Sequence, residues 1–293
     1  MNRCCASICG GTTPRAKRPD GSRWFVRTTA LRKGSRPLKA ETPDARPFVS
    51  VVIPAAGRGR RMGTKTNKQF LKLQDEPILY WTIRAFDESP RVDEIVVILN
   101  PDDWDIFNRD ITSTHIFHHQ IKTTAGGDTR SQSVYNGLKA ADPRCSVVLI
   151  HDGARPMIGE TLIGDSIDFA LKYKAAIAAV PAKNTIKSVT PAGDGSSTLQ
   201  VNQTLDRRVL YEVQTPQAFD YKLILSAYEA AAADHVEATD DAALVERLGL
   251  PVAIIPGDYN NIKITTSEDL MIINSFLTLM NKKNQHESGG RSI

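Results

Sequence analysis

Positively charged side chains cluster around a glycine turn directly behind the first predicted strand. The apolar run 48–53 predicts a fully buried strand, and Gly57 and Gly59 follow it. Glycines let the backbone turn sharply and bring its N–H groups close to an anion. The cations of this segment are Arg58, Arg60, Arg61 and Lys68. Because these charges would repel one another in an empty fold, the segment predicts a ligand with several negative charges, such as a triphosphate.

The spacing of this loop excludes two common phosphate-binding motifs. A P-loop requires Gly, four residues, Gly, and then Lys with a hydroxyl residue, and no register around Gly57 or Gly59 supplies this pattern. A dinucleotide-binding fingerprint requires a small residue where Met62 stands. A solvated surface turn remains the alternative, because an isolated GxG motif with arginines is weak support for a site.

Two further motifs place polar residues where α/β proteins bind ligands. The segment 126–133 puts Gly-Gly-Asp near a predicted helix start, although an ordinary capped helix has the same pattern. Asp152 and Arg155 follow the buried run 147–150, at the edge where open α/β sheets bind ligands. Asp152 holds a divalent metal there or caps the next helix, and its position leaves these alternatives nearly even.

With its later motifs the chain resembles the 2-C-methyl-D-erythritol 4-phosphate cytidylyltransferase family, which joins CTP to a branched tetritol phosphate in the non-mevalonate isoprenoid pathway. The resemblance extends from about residue 48 to about residue 277, and the joint occurrence of its motifs in the family's order is highly specific. The motifs are PAAGRGRRM, NKQF, GGDTRSQS, HDGARP, KNTIK, LDR, QTPQ, EATDDA and NNIKIT. Gly153 stands in HDGARP where many relatives have Ala, and the large departure is the N-terminal leader.

The resemblance implies a role for individual residues. Those that would stabilise the charge developing on the α-phosphate are Arg61, Lys68 and Lys263. Those that would bind CTP are Ala55, Ala56, Gly57, Gly59, Gly127, Asp128 and Ser133. Those that would bind the polyol phosphate are Asp152, Arg155, Thr185, Arg207, Thr215 and Thr239. Mg²⁺ is the expected cofactor, with Asp152 as its nearest carboxylate, and no protein nucleophile or base is required because a phosphate monoester is substantially dianionic near pH 7. His151 is expected to be a bonded strand-end residue rather than a base.

Buried strand patterns alternate with amphipathic segments along the chain. This alternation predicts an α/β fold, a doubly wound, mostly parallel Rossmann-like sheet with helices on both faces. The predicted strands are 48–53, 94–99, 147–150, 175–180 and 252–255, and the predicted helices are 78–86, 133–141 and 162–171. The turn-rich segment 182–219 breaks the rhythm and predicts a projecting β arm. By resemblance this arm embraces a second subunit in a homodimer, so that Thr185 and Arg207 reach the partner's site.

The net charge of +4 conceals an uneven distribution. Residues 1–40 hold ten Lys/Arg and one acid, net +9, which leaves 27 basic and 32 acidic residues in the remainder, net −5. An Arg-rich, acid-poor leader without a secretory apolar core predicts a plastid transit peptide over 1–46 and a location in the plastid stroma. The nucleotidyltransferase domain is expected over 47–281 and a disordered tail over 282–293. With three of four cysteines in the leader, no disulfide framework is expected, and no apolar run is long enough to span a membrane.

Three alternatives remain at the level of sequence. A ribitol 5-phosphate cytidylyltransferase would share the loop and the arm and differ mainly in the pocket for the alcohol. An NAD-binding oxidoreductase lacks an intact fingerprint and an acidic residue to bind the ribose. A nucleic-acid-binding module would use the basic leader, but the acidic body argues against it, so the expected partners are CTP, a polyol phosphate and a second copy of the chain.

Overall fold

A seven-stranded mixed sheet forms the centre of the protein. The computed structural model describes residues 46–57, 67–193, 195 and 197–289, with side chains to residue 279. The strands are β1 (Phe48–Ala55), β2 (Lys72–Leu73), β3 (Glu76–Pro77), β4 (Glu94–Leu99), β5 (Ile121–Ala125), β6 (Cys145–Ile150), β7 (Ala175–Pro181), β8 (Lys187–Pro191), β9 (Leu199–Thr204), β10 (Tyr211–Asp220) and β11 (Ala253–Pro256). The helices are α1 (Ile78–Asp87), α2 (Trp104–Phe107), α3 (Arg130–Ala140), α4 (Glu160–Tyr173), α5 (Tyr221–Ala233), α6 (Ala242–Arg247) and α7 (Ser267–Gly289). The predicted α/β fold with a mostly parallel sheet is confirmed.

The strand order places the carboxyl end of β1 at a topological switch point. The central sheet has the order β11-β7-β10-β6-β1-β4-β5, and all its strands except β10 run parallel. From β1 the chain adds β4 and β5 on one side and then returns to place β6 on the other. Ligands of open α/β sheets bind in the crevice beyond such a point, so this edge should hold the site.

Apolar side chains of β1 anchor the helices on both faces of the sheet. Val51 and Ile53 pack with residues of α1 and α4, whereas Val52 packs with residues of α3 and α5. These positions are fully buried, and burying each such side chain stabilises the fold by about 1.5–3 kcal/mol. The strand that carries the glycine turn is therefore held rigidly from both sides.

The arm predicted over 182–219 is shorter in the structure. Strands β8 and β9 pair antiparallel in a separate two-stranded sheet, as a projecting arm requires. The last part of the predicted segment, Tyr211–Asp220, is instead strand β10, which lies antiparallel between β6 and β7 in the central sheet. The strand was not predicted because several of its residues are polar. The pairing register shifts between Val213 and Gln217. In this stretch Gln214 donates to the carbonyl of Asp258, and Thr215 Oγ1 is hydrogen-bonded to His151 Nδ1.

The structure differs from the predicted disordered tail over residues 282–289, whereas residues 290–293 lie outside the described residues. Helix α7 runs to Gly289, past residue 281, where the domain was expected to end. Lys, Gln and Glu in this polar segment are good helix formers, so their intrinsic propensity favours continuation of the helix. Apolar periodicity does not detect a helix in a segment with so few apolar residues.

Candidate active site

An open cavity of about 910 Å³ lies beyond the carboxyl ends of β1 and β6. Its wall contains residues from six separate segments of the sequence. They are Pro54, Ala55, Ala56, Gly57, Lys68, Gln69, Asn100, Pro101, Asp102, Gly126, Gly127, Asp128, Thr129, Arg130, Ser133, Asp152, Gly153, Ala154 and Lys263. Nine of the predicted site residues are in this wall: Ala55, Ala56, Gly57, Lys68, Gly127, Asp128, Ser133, Asp152 and Lys263.

Lys68 is held at the mouth of the cavity by the short 3₁₀ turn Lys68–Phe70. Its ammonium donates to the backbone carbonyl of Ile264 at 3.2 Å. The next side chain, Gln69, is buried and donates to the carbonyl of Ala55 at the end of β1. These bonds place a cationic group beside the glycine turn. Gly59 and Arg61, which were also predicted to bind here, lie outside the described residues.

The start of helix α3 forms a second wall. The Thr129 hydroxyl accepts from the backbone N–H of Gln132 at 3.1 Å and caps the helix. Ser133 Oγ accepts from the N–H of Gly127 at 2.9 Å and lies 2.9 Å from the carbonyl of Thr129, to which it can donate. A Cβ on Gly126 would lie 2.5 Å from that of Ala56, so the two segments approach as closely as glycine permits. The result is a narrow wall of backbone groups.

Asp152 and Lys263 lie in the floor of the cavity, and Arg155 lies behind them. Asp152 Oδ2 lies 2.9 Å from Lys263 Nζ and 3.2 Å from Arg155 Nε. Burial alone would raise the pKa of Asp152, but the charges of Lys263 and Arg155 outweigh it and lower the pKa to about 2. Arg155 is buried, and its Nη1 donates to the carbonyl of Asn261 at 2.7 Å. The carboxylate is therefore ionised and held in place at neutral pH.

Behind the floor, polar groups of β6, β10 and the segment before α7 bond to one another. Thr215 Oγ1 lies 3.1 Å from His151 Nδ1 and accepts from the N–H of Asp152 at 3.1 Å. Asn261 Nδ2 donates to the carbonyl of Thr215 at 2.7 Å, whereas the buried Asn261 Oδ1 has no hydrogen-bond partner among the described residues. His151 is completely buried, and this burial lowers its pKa to about 4, so the ring is neutral at physiological pH.

Three predicted ligands of the polyol phosphate lie away from the cavity wall. Thr185 precedes the arm and Arg207 follows it; both are exposed, and Arg207 Nη1 donates to the carbonyl of Lys183 at 2.9 Å. Thr239 is exposed in the loop before α6. Thr215 and Arg155 lie behind the wall, in contact with Asp152. These assignments stay predictions.

One wall residue that sequence reasoning did not single out is Arg130. Its guanidinium makes two hydrogen bonds to the fully buried carboxylate of Asp241, at 2.8 and 2.7 Å, and Tyr228 donates to the same carboxylate. Burial disfavours the charge of Arg130, but Asp241 outweighs this and raises its pKa. Arg130 occurs in the GGDTRSQS motif and Asp241 in EATDDA. Their presence in two of the family motifs was the sequence feature that could have pointed to them.

The described residues contain neither a candidate membrane span nor a cluster of metal ligands. No helix in the described part of the chain is long and apolar enough to cross a membrane. Within the same residues no group of three or more His, Cys, Asp and Glu side chains could hold a metal ion. The three neighbouring histidines 115, 118 and 119 bond to Glu76 or Asp87.

Comparisons with known proteins agree on one family. The family model IspD, 2-C-methyl-D-erythritol 4-phosphate cytidylyltransferase, matches residues 49–279. The 2-C-methyl-D-erythritol 4-phosphate cytidylyltransferase of Clostridioides difficile is 44% identical over 83% of this chain and 99% of its own length. The enzyme of that name from Syntrophotalea carbinolica is 46% identical over 78% of this chain and 96% of its own.

Solved structures give the same result. The 4-diphosphocytidyl-2C-methyl-D-erythritol synthase of Anaerococcus prevotii superposes with a TM-score of 0.68 at 35% identity, covering 80% of this chain and 100% of that one. The 2-C-methyl-D-erythritol 4-phosphate cytidylyltransferase of Thermus thermophilus superposes with a TM-score of 0.62 at 32% identity, covering 78% and 98%.

Proposed function

The chain belongs to the 2-C-methyl-D-erythritol 4-phosphate cytidylyltransferase family, and from this premise we propose that it transfers the cytidylyl group of CTP to 2-C-methyl-D-erythritol 4-phosphate and releases pyrophosphate. The observation that carries the proposal is the cavity at the switch point of the sheet, where Lys68, Asp152 and Lys263 of three family motifs meet. Ribitol 5-phosphate, the alternative acceptor, is not favoured, because the relatives with 42–46% identity are enzymes for the methylerythritol phosphate.

The chemistry brings together two anions. An oxygen of the acceptor phosphate bonds to the α-phosphorus of CTP, the bond from that phosphorus to the β-phosphate oxygen breaks, and pyrophosphate leaves. Repulsion between acceptor and triphosphate is the main obstacle, together with charge that develops on the α-phosphate. Lys68 and Lys263 supply positive charge at the cavity wall, and Arg61 follows the same glycine turn. Catalysis then rests on positioning and electrostatic stabilisation.

A general base is not needed, and the two nearest candidates are poorly suited to act as one. Asp152 is ionised, but its pKa of about 2 makes it a weak base, and Lys263 and Arg155 already occupy its Oδ2. His151 is buried, with both ring nitrogens in contact with protein groups. Since the acceptor phosphate is substantially dianionic near pH 7, it can attack without losing a proton.

The part of the cavity wall formed by residues 55–57 and 127–133 suits a small nucleobase. Ala55 ends β1, Ala56 and Gly57 follow it, and Gly127, Asp128 and Ser133 line the same cavity. A Cβ at Gly126 would lie 2.5 Å from that of Ala56, so the two segments meet closely at that point and limit the width of the cavity there. We assign cytosine recognition to this wall, where backbone N–H and C=O groups can pair with the edge of a pyrimidine and a purine would be too large.

The acceptor binds on the other side of the triphosphate in this proposal. Asp152 and Arg155 orient its hydroxyls, Thr239 contributes from the loop before α6, and Thr185 and Arg207 bind it from the arm. Arg207 is suited to the phosphate because its guanidinium offers a planar pair of donors. Thr215 acts from behind Asp152, in a role argued below.

Mg²⁺ would neutralise part of the charge of the triphosphate in this proposal. Mg²⁺ binds through one or two carboxylates plus phosphates and retains several waters, so the lack of a three-ligand cluster in the described residues fits this use. Asp152 is the carboxylate that we assign to it. Chelation with EDTA should abolish transfer and leave the fold intact, as judged by circular dichroism.

Exposed apolar side chains on the arm support the proposal of a homodimer. Several apolar side chains of β8, β9 and the turn after them are exposed, including Leu199 at 61%, Val201 at 62% and Val209 at 74%. An isolated two-stranded arm is marginal in water, and exposed apolar residues gain stability when a second surface covers them. We assign that surface to a second copy, whose active site then receives Thr185 and Arg207.

We also assign residues 1–46 to a cleaved plastid transit peptide. The basic, acid-poor composition of this leader supports this, and the family match begins only at residue 49. A protein beginning at Glu41 should fold and retain full activity, and residues 1–46 should carry a fused fluorescent protein into plastids. Loss of activity on truncation, or a fusion that stays in the cytosol of a plastid-bearing cell, would refute the assignment.

A pyrophosphate-release assay tests the proposed function. The enzyme should turn over 2-C-methyl-D-erythritol 4-phosphate with CTP, and much more slowly with UTP or ATP. Ribitol 5-phosphate is the matched acceptor control, since it offers the same phosphate on an unbranched polyol. A higher kcat/KM for ribitol 5-phosphate, or no turnover of either acceptor, would contradict the assignment.

A further inference from the structure

His151 closes a short loop of hydrogen bonds behind the floor of the cavity. Its Nε2 lies 3.1 Å from the carbonyl oxygen of Arg155, and its Nδ1 lies 3.1 Å from Thr215 Oγ1. A carbonyl oxygen can only accept, so Nε2 carries the ring hydrogen and donates it. The neutral ring then has a lone pair on Nδ1, which accepts from the hydroxyl of Thr215.

This tautomer fixes the Thr215 hydroxyl as well. Its hydrogen points to His151, so the lone pairs of Oγ1 face the other way, and the N–H of Asp152 donates to one of them at 3.1 Å. The ring thereby holds two backbone groups of the loop that follows β6, the carbonyl of Arg155 and, through Thr215, the N–H of Asp152. The side chains of these two residues form an ion pair, with Asp152 in the floor of the cavity and Arg155 behind it.

The imidazole of His151 is enclosed by protein groups and does not reach the cavity. His151 is completely buried, its ring packs edge-on against Phe86 with centroids 5.0 Å apart, and it does not line the cavity. Thr215 is buried too, and its hydroxyl has no hydrogen left to donate to a substrate. An apolar side chain at position 151 could fill the same volume, so the feature to be explained is the pair of directional bonds.

We propose that His151 is a positioning residue for the acceptor, which acts through Thr215 to fix Asp152 and Arg155 in the geometry that binds the polyol phosphate. The inference rests on the proposed function only for the assignment of Asp152 and Arg155 to the acceptor. It assigns Thr215 a role in orienting Asp152, in place of direct donation to substrate.

Isosteric substitutions separate the two bonds. In His151→Asn the side-chain oxygen takes the place of Nδ1 and can still accept from Thr215, whereas in His151→Gln the side-chain nitrogen takes the place of Nε2 and can still donate to Arg155. Thr215→Val removes the hydroxyl at nearly constant shape, and Thr215→Ser is its matched control because it keeps the hydroxyl.

Steady-state kinetics of the full chain, with pyrophosphate release as readout, test the proposal. Thr215→Val should raise KM for 2-C-methyl-D-erythritol 4-phosphate about 5- to 100-fold, the loss expected when a buried N–H is left unpaired. KM for CTP should stay within about twofold, because the wall that binds the base does not contact this network. Thr215→Ser should restore KM for the acceptor.

The His151 variants should follow the same order. His151→Gln should raise KM for the acceptor about as much as Thr215→Val does, and His151→Asn should raise it less. The His151→Gln/Thr215→Val double variant should have a KM for the acceptor no higher than that of either single variant.

Several results would overturn the proposal. One is an unchanged KM for the acceptor in folded Thr215→Val, a second is equal increases in both KM values, and a third is additive effects in the double variant. Nitrogen NMR of the wild-type imidazole gives a test that needs no variant, because a hydrogen on Nδ1 instead of Nε2 would contradict the hydrogen-bond order. Failure of the proposed function is distinguishable, since wild-type enzyme would then not turn over this acceptor with CTP.

Discussion

At the scale of single residues, Lys68 and Lys263 line the same cavity but bond to different groups. Lys68 lines the cavity and donates to the backbone carbonyl of Ile264. Lys263 lines the same cavity and is paired with the carboxylate of Asp152. Removal of Lys68 should therefore take away positive charge at the cavity wall, whereas removal of Lys263 also takes away one of the ion-pair partners of Asp152.

Replacing Lys68 with Ala should lower kcat by about 10²- to 10³-fold, the usual effect of removing one electrostatic donor from a transition state. Lys263→Ala should also lower kcat, and it removes one of the two cations that pair with Asp152. Lys72→Ala is a matched control, since Lys72 lies on the nearby exposed face of β2. A Lys68→Ala enzyme with near-normal kcat would refute the assigned role.

The buried imidazole of His151 predicts a loss of stability on mild acidification. Burial lowers its folded pKa to about 4, whereas an unfolded histidine titrates near ~6.5. Between these values the unfolded chain binds a proton that the folded protein does not, so the free energy of unfolding falls as the pH drops from about 6.5 to about 4, by up to about 3 kcal/mol. Urea unfolding at several pH values measures this.

The His151→Gln variant is the control for this pH dependence. It lacks a titrating group at the position, so its free energy of unfolding should change less than that of the wild type between pH 6.5 and 4. The ionised Asp152 contributes in a different window, because a lowered carboxyl pKa of about 2 stabilises the fold above about pH 4 and is lost only as the pH falls toward 2. Equal pH slopes in the wild type and in His151→Gln would argue against a depressed pKa.

At the scale of elements, the buried ion pair of Arg130 and Asp241 joins three helices. Arg130 begins α3, Tyr228 lies in α5 and Asp241 precedes α6. Gln217 of β10 accepts from the N–H groups of Asp241 and Ala242 at 3.0 and 2.9 Å, which ties the same cluster to the sheet. A single carboxylate thus locates the wall of the cavity relative to the loop that carries Thr239.

Replacing Asp241 with Ala should destabilise the protein by about 3–5 kcal/mol, because it leaves the guanidinium of Arg130 without its buried partner. Tyr228→Phe removes one hydrogen bond and should cost about 1–2 kcal/mol. Arg208→Ala breaks an exposed pair with Asp206, keeps the cap that Asp206 makes to the backbone N–H of residue 208, and should leave the unfolding midpoint unchanged. Urea unfolding measures all three, and a neutral Asp241→Ala would show that the pair contributes little.

Sequence patterns predicted some elements better than others for identifiable reasons. Strand β4 was predicted with its observed bounds, Glu94–Leu99, because six consecutive buried residues leave no ambiguity. Helix α3 starts three residues before the predicted Ser133, because the cap at Thr129 adds a polar first turn. Strand β10 was taken for part of the arm, because Gln214, Thr215 and Gln217 make it polar.

In the candidate site too, some residues could be predicted from local motifs and others could not. Motifs brought nine predicted residues to one cavity wall, since each motif follows a strand that ends at the same edge of the sheet. The network through His151, Thr215 and Asp152 could not be predicted, because it depends on how β10 inserts antiparallel beside β6. Pairing between distant segments, rather than local pattern, supplies this information.

At the scale of the whole molecule, the proposed homodimer would place residues of two chains in each active site. Arg207 and Thr185 flank β8 and β9 and are exposed, away from the wall formed by Lys68 and Asp152. If the partner's site receives them, each active site combines residues from two chains. Two variants that are inactive alone then become complementary.

Mixing Lys68→Ala with Arg207→Ala subunits tests this sharing. Each variant should be nearly inactive alone, because every site lacks one required cation. After subunit exchange through reversible dissociation, heterodimers contain one site with both native residues and one site with neither.

Random exchange should restore about a quarter of the wild-type activity, since about half of the dimers are mixed and each has one native site. A mixture of Lys68→Ala with the Lys68→Ala/Arg207→Ala double variant is the matched control and should stay inactive at every ratio, because no site in it contains a native Lys68. Mass spectrometry of isotope-labelled subunits shows whether exchange has occurred. If subunits exchange and the first mixture remains as inactive as its parents, Arg207 acts within its own chain, and the exposed apolar face of the arm must have another use.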